Sequence, residues 1–163
     1  MLLEQGWFKV DDQGLPLRDD AGRKIPVDPR VHCTAGDWSI RQTLAFCQEA
    51  DLVIGPETGV LNAVCIQQMP KIVFLSHSSE ANLTRDWVNT YALAADNTHC
   101  PGRGANEATA CHQLHYGWDH CKNALGEDGK PTGIAQCQIE IGPERVYQLI
   151  ERLIESDSFD KEF

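Results

Sequence analysis

The chain has 163 residues, 42% of them hydrophobic, and its 24 acidic against 14 basic residues leave a net charge of −10. That length predicts one sizeable core that needs no covalent staples. The acidic balance argues against a grip on nucleic-acid backbone and against docking on an anionic membrane, although isolated cations or a helix terminus can still hold a phosphorylated small molecule.

At the start, Met1-Leu2-Leu3 runs directly into Glu4 and Gln5. The charged and apolar regions of a signal peptide are not there, and no apolar run reaches the roughly 20 residues of a membrane span. The expectation is a cytoplasmic protein without membrane insertion. Residues 1–30 carry two Asp-Asp-x-Gly turns eight residues apart, Asp11-Asp12-Gln13-Gly14 and Asp19-Asp20-Ala21-Gly22. Short β-prone pieces flank them: Trp7 to Val10, Leu15-Pro16-Leu17 and Lys24 to Val27. This pattern predicts a β-hairpin segment whose prolines favour edge positions. The turns lack the full ligand ladder of a calcium loop and read as solvated turns.

From Val31 to Asp96 short apolar runs alternate with helical patterns. Val31-His32-Cys33 reads as a short strand. Asp37 or Ser39 can cap a helix carrying Ile40, Leu44 and Cys47 on one face, and Ser39-x-x-Gln42 fits a capping box. A strand follows over Asp51 to Pro56, a helix over Thr58 to Met69, a strand over Lys71 to Ser76, a short helix over Glu80 to Trp87 and a strand over Thr90 to Ala95. The strands lack polar alternation, as strands buried on both faces do. The reading is an α/β fold with a Rossmann-like parallel sheet over residues 31–155.

Residues 97–138 form a Cys/His-rich insertion. Cys100, Cys111, Cys121 and Cys137 lie among His99, His112, His115 and His120. Thiolates and imidazoles suit structural zinc, although no Cys-x-x-Cys pair is present. Two disulfides, or free thiols in a loose insertion, are the alternatives. Cys33, Cys47 and Cys65 sit in apolar patterns and read as core. Trp87 and Trp118 can stack on a base or sugar, but packing is the commoner fate. Pro143 opens a final helix with Val146, Leu149, Ile150, Leu153 and Ile154 as its apolar stripe. An acidic tail, 156–163, follows.

The segment of most chemical interest is Gly55-Pro56-Glu57-Thr58-Gly59. It sits where a parallel strand ends and a helix begins, the place where open α/β sheets bind ligands. Free backbone N–H groups there can cradle a diphosphate, and Gly59 permits close approach. The Thr58 hydroxyl can add a bond, and Glu57 can accept from a sugar or ribose hydroxyl. The plainer alternative is a helix start capped by Thr58.

The stretch Ala50 to Asn62, Ala-Asp-Leu-Val-Ile-Gly-Pro-Glu-Thr-Gly-Val-Leu-Asn, resembles the hallmark segment of glycosyltransferase family 9, the heptosyltransferase-like family. In that family an apolar strand precedes Asp-Thr-Gly and a helix with a His three residues after the Gly. The preceding helix, the strand Lys71 to Leu75 and the run Ile141-Gly142-Pro143-Glu144-Arg145-Val146 extend the resemblance over roughly Val31 to Ile154. It implies one half of a GT-B fold, the C-terminal domain that holds a nucleotide-diphosphate sugar. The turn at Thr58-Gly59 would bind the donor diphosphate, in inverting transfer without a catalytic metal. Glu57 stands for the family's Asp, Asn62 for its His, and Ser76-His77-Ser78-Ser79 for its Gly-x-Thr loop. Ser78 and Ser79 could still donate to phosphate. The family's acceptor domain and general base precede this region, so no catalytic residue is identifiable and activity would need a separate acceptor-binding domain or chain. The alternative is a non-catalytic, zinc-stabilised α/β structural or interaction module.

Overall fold

The computed structural model describes residues 8–32, 34, 36–76, 78–95, 128–130, 134 and 136–156. The chain divides into two compact units, 1–41 and 42–163.

In the first unit the octapeptide spacing becomes geometry. Single antiparallel bridges join Val10 to Pro16, Arg18 to Lys24 and Phe8 to Pro26. Residues 9, 17 and 25 close a ring: Lys9 N–H donates to Ile25 O, Ile25 N–H to Leu17 O, and Leu17 N–H to Lys9 O. Each bridge stays a single pair because Lys9, Leu17 and Ile25 each give their N–H to one neighbour and their carbonyl to the other, so no two of them exchange both bonds of a continuing ladder. The two acidic turns repeat one construction. Asp11 Oδ1 accepts from the N–H groups of Gln13 and Leu15, and Asp19 Oδ1 from those of Ala21 and Arg23. Gly14 and Gly22 close the turns at φ of 78° and 79°, a region open to glycine at no steric cost. The backbone N–H and guanidinium of Arg23 hold the Asp19 carboxyl below the usual aspartate range. Val31 and His32 form no strand, because Asp28 to Arg30 already turn the chain there, with Val31 N–H returning to Asp28 O.

The second unit is an α/β fold around a three-stranded parallel sheet of order β1-β2-β3, with β1 Val53–Pro56, β2 Lys71–Leu75 and β3 Thr90–Ala94. Helix α1, Ile40–Glu49, precedes β1. The connections carry α2, Gly59–Ala63, and α3, Glu80–Leu83. After β3 come α4, Gln136–Ile139, and α5, Pro143–Glu155. Of the insertion at 97–138, only residues 128–130, 134 and 136–138 are described, and the tail 157–163 lies outside the described residues.

Strand β2 explains the layering. Successive strand side chains point to opposite faces, so Val73 and Leu75 enter one core with Cys47, Leu61, Val64 and Met69. Ile72 enters the other with Leu93, Leu149 and Leu153. Burial on both faces is why β2 is apolar without alternation. Trp87 packs against the first core. Cys47 is buried there, which raises its thiol pKa, and Cys65 is half-buried.

Four helical expectations change. The helix expected from Thr58 to Met69 is only the five-residue α2, and residues 64–70 are turns. The reason is Lys71, whose side chain is wholly buried. Its Nζ donates to the carbonyls of Gln67 and Met69, at 2.6 and 2.8 Å. Nearby, Asn89 Nδ2 donates to Gln68 O and Val88 N–H to Cys65 O. Carbonyls serving these donors follow a path other than the helical ladder. Asn89 meets this demand at φ 43°, which Asn tolerates better than most residues. The helix expected over Glu80 to Trp87 is likewise cut to Glu80–Leu83, as Trp87 N–H closes a turn onto Thr84 O. On α5 the expected stripe holds for Leu149 and Leu153, but Ile154 is exposed. Ile154 lies only about 1.5 Å along the axis from the buried Leu153 but about 100° around it, so it falls outside the face that Leu149 and Leu153 bury. Ile40 at the start of α1 is also exposed, while Cys47 near its end is buried.

Burial pulls the Lys71 pKa below the ordinary lysine value. A base whose folded pKa is depressed costs stability at pH below that pKa, and the cost is relieved as pH rises through it towards the unfolded value. Between pH 7 and about 10, wild type should therefore gain stability relative to Lys71→Met, read from urea unfolding midpoints of both proteins. Parallel curves across that range would show that Lys71 is not held against its charge.

Candidate functional site

The turn after β1 and the loop after β2 meet at the carboxyl edge of the sheet. Pro56 pairs in register with Phe74, so the two chains leave the sheet side by side. Glu57 joins them. Its Oε1 accepts from the N–H of Ser76 at 2.6 Å and of Ser78 at 3.1 Å. The longer arm of glutamate, compared with aspartate, provides this reach. The sequence reading offered Glu57 to a sugar or ribose hydroxyl. In the structure its Oε1 organises the neighbouring loop, and the Ser76 and Ser78 N–H groups already have an acceptor.

Thr58 occupies the N-cap position of α2 with extended backbone, φ −122° and ψ 163°, yet its side chain makes no capping bond. The hydroxyl is thus not consumed in the way an ordinary N-cap would be. Gly59 opens α2, and a Cβ built there would meet nothing within 4 Å. Gly55 differs: a Cβ there would lie 3.3 Å from Leu61 Cδ1, so that glycine serves packing of α2 on β1. The first N–H groups of α2 lack intrahelical partners, as at any helix start, but a five-residue helix contributes little macrodipole. Asn62, in the place where the resembled family carries His, turns Nδ2 back onto Thr58 O at 2.9 Å.

Ser79 precedes α3 in the equivalent position of the next crossover, again extended and again without a side-chain cap. Its Oγ is buried and has no hydrogen-bond partner among the described residues. A buried hydroxyl left so carries a desolvation cost. Sequence reasoning named Ser79, but its burial was not legible, because it depends on how α3 folds over the β2 terminus. At the far side of the sheet, Arg145 at the start of α5 donates to Ala94 O at the end of β3, at 2.8 Å.

The structure therefore brings Glu57 together with Ser76 and Ser78, and keeps Thr58, Gly59 and Asn62 on one helical turn. His77 lies outside the described residues, as do Cys100, Cys111 and Cys121; Cys137 falls in α4. Among the described residues no cluster of His, Cys, Asp and Glu could hold a metal ion. No described helix is long and apolar enough to cross a membrane. No family model, curated protein or solved structure matches the chain.

Removing the Glu57 carboxylate strands two backbone N–H groups in a half-buried place. Glu57→Ala should cost about 2 kcal/mol by urea unfolding, and Glu57→Gln, which keeps an acceptor oxygen, well under half of that. Equal losses for the two variants would mean that packing, not hydrogen bonding, is what Glu57 supplies.

Proposed function

We propose that residues 42–156 belong to a nucleotide-diphosphate-sugar-binding domain, one Rossmann-like half of a GT-B glycosyltransferase of the heptosyltransferase-like kind. The carrying observation is the turn Glu57-Thr58-Gly59 at the carboxyl edge of a parallel sheet, with the post-β2 loop hydrogen-bonded to it. In this reading the N–H groups at the start of α2 and the uncapped Thr58 hydroxyl bind the donor diphosphate. The open space at Gly59 lets the phosphate reach the backbone. Ser78 and Ser79 follow the end of β2 at the same edge; the Ser79 hydroxyl, buried and without a partner among the described residues, would meet a ligand oxygen only if the loop opened. These groups stabilise charge on the departing nucleotide without covalent chemistry. The acceptor and the base that activates it would come from another domain or chain.

The second reading is a non-catalytic α/β module that keeps the fold without the chemistry. Its support is that Glu57 and Asn62 both bond to this chain's own backbone. In either reading Cys100, Cys111, Cys121 and Cys137 are the proposed ligands of a structural zinc, with no metal at the chemical centre.

Gly59→Ala separates the two readings. The site has room for the methyl in the free protein, so the variant should fold with a melting temperature within about 2 °C of wild type. Wild type should be stabilised by at least one of ADP, GDP, UDP and CMP, and Gly59→Ala and Thr58→Val should lose most of that shift. A wild type that ignores all four nucleotides would favour the structural module. Protein purified without chelator should contain about one zinc per chain by elemental analysis, and the Cys121→Ser variant should lose it; metal-free wild type would return the cysteines to disulfides or thiols.

A further inference from the structure

The first unit holds a cleft of about 570 Å³, with Lys9, Lys24, Val27, His32, Asp37 and Trp38 among its walls. That volume lies in the usual range for small-molecule sites. The cleft lies where the octapeptide pattern breaks. Asp11 and Asp19 fold their carboxylates onto their own turns; in the third repeat Val27 stands in that position, and the turn is made one residue later by Asp28, whose Oδ1 accepts from the Arg30 N–H. Its charge also departs from the rest of the chain. Residues 1–41 hold seven acidic and six basic side chains, whereas residues 42–163 hold seventeen and eight. Arg23, also on the wall, is held by Asp19 and Arg30 by Asp28. Lys9 and Lys24 have no carboxylate partner among the described residues; Lys24 Nζ stands 5.3 Å from the centre of the Phe8 ring. Trp38 is more than a third exposed.

We propose that this cleft binds a saccharide bearing one acidic group, a carboxylate or a monophosphate. The lysines meet the acid as charge-assisted donors. The indole face of Trp38 takes the apolar face of the sugar ring. Asp37 and His32 serve ring hydroxyls, and the Asp37 carboxylate disfavours a second negative charge on the ligand. This proposal is independent of the donor-site reading, since it uses none of the same residues.

The test is a ¹H–¹⁵N titration of the full chain that follows the Trp38 indole N–H, assigned with Trp38→Phe. The probes are glucuronate, glucose 6-phosphate, glucose, AMP and inorganic phosphate. Glucuronate, glucose 6-phosphate or both should shift that resonance saturably, with Kd at least about tenfold tighter than glucose. The double variant Lys9→Met, Lys24→Met should weaken binding at least about tenfold with amide dispersion unchanged. If that variant does not fold, raising salt from about 50 to 500 mM on wild type should weaken binding instead. A silent Trp38 with both acid sugars would overturn the proposal. So would inorganic phosphate or AMP binding as tightly as the sugars, or affinity indifferent to both lysines and salt.

Discussion

The second unit is organised by one strand that is buried on both sides. Lys71 to Leu75 sends Val73 and Leu75 into one core and Ile72 into the other, and pairs in parallel with β1 and β3 along its two edges. Every layer touches it: α1 and α2 through the first core, α5 through the second. A strand so enclosed has no face left for a charge, yet its first residue is lysine. The ammonium is accommodated only because the chain before it turns its carbonyls inward. That single need dissolves what would otherwise be a twelve-residue helix, and it sets the loop that returns α2 to the sheet.

Glu57 plays a similar part at the opposite end of the strands. There an acceptor binds N–H groups, where at Lys71 a donor binds carbonyls. The two charged side chains tie off the irregular backbone at both ends of β2, satisfying groups that the ladder cannot reach. A ligand edge organised by Glu57 would be rigid before anything binds, which lowers the ordering cost of binding. The same hydrogen bonds can hold a loop with no ligand at all. That is why a substitution at Gly59, which leaves these bonds intact, discriminates between the readings better than one at Glu57.

Much of the core was legible. The continuous apolar run at 71–75 read as a buried strand because burial on both faces removes polar alternation; the run at 52–56 read the same way, but β1 lies at the edge of the described sheet, with Ile54 and Pro56 exposed. Leu149 and Leu153 read correctly from helical spacing. Ile154 and Ile40 fit the same spacing and are exposed, because periodicity shows which side of a helix is apolar but not how wide a stripe of it, or how much of its length, the neighbouring elements cover. At the candidate site the residue types and their place after β1 were visible. The uncapped Thr58, the buried Ser79 hydroxyl and the attachment of Glu57 to Ser76 and Ser78 were not, since each depends on the β2 terminus lying beside the β1 terminus.

Local chemistry is written in the order of residues: glycines where turns need positive φ, an eight-residue rhythm at the start, apolar runs that seek burial, and proline at the head of α5. These follow from backbone sterics and from the hydrophobic effect, which act over a few residues. Tertiary structure alone decided that three octapeptides close into a hydrogen-bonded ring, that Lys71 ends a helix early, and that Glu57 serves a loop some twenty residues away. Those outcomes depend on pairing polar groups distant in sequence, and only the folded chain brings such partners within hydrogen-bond reach.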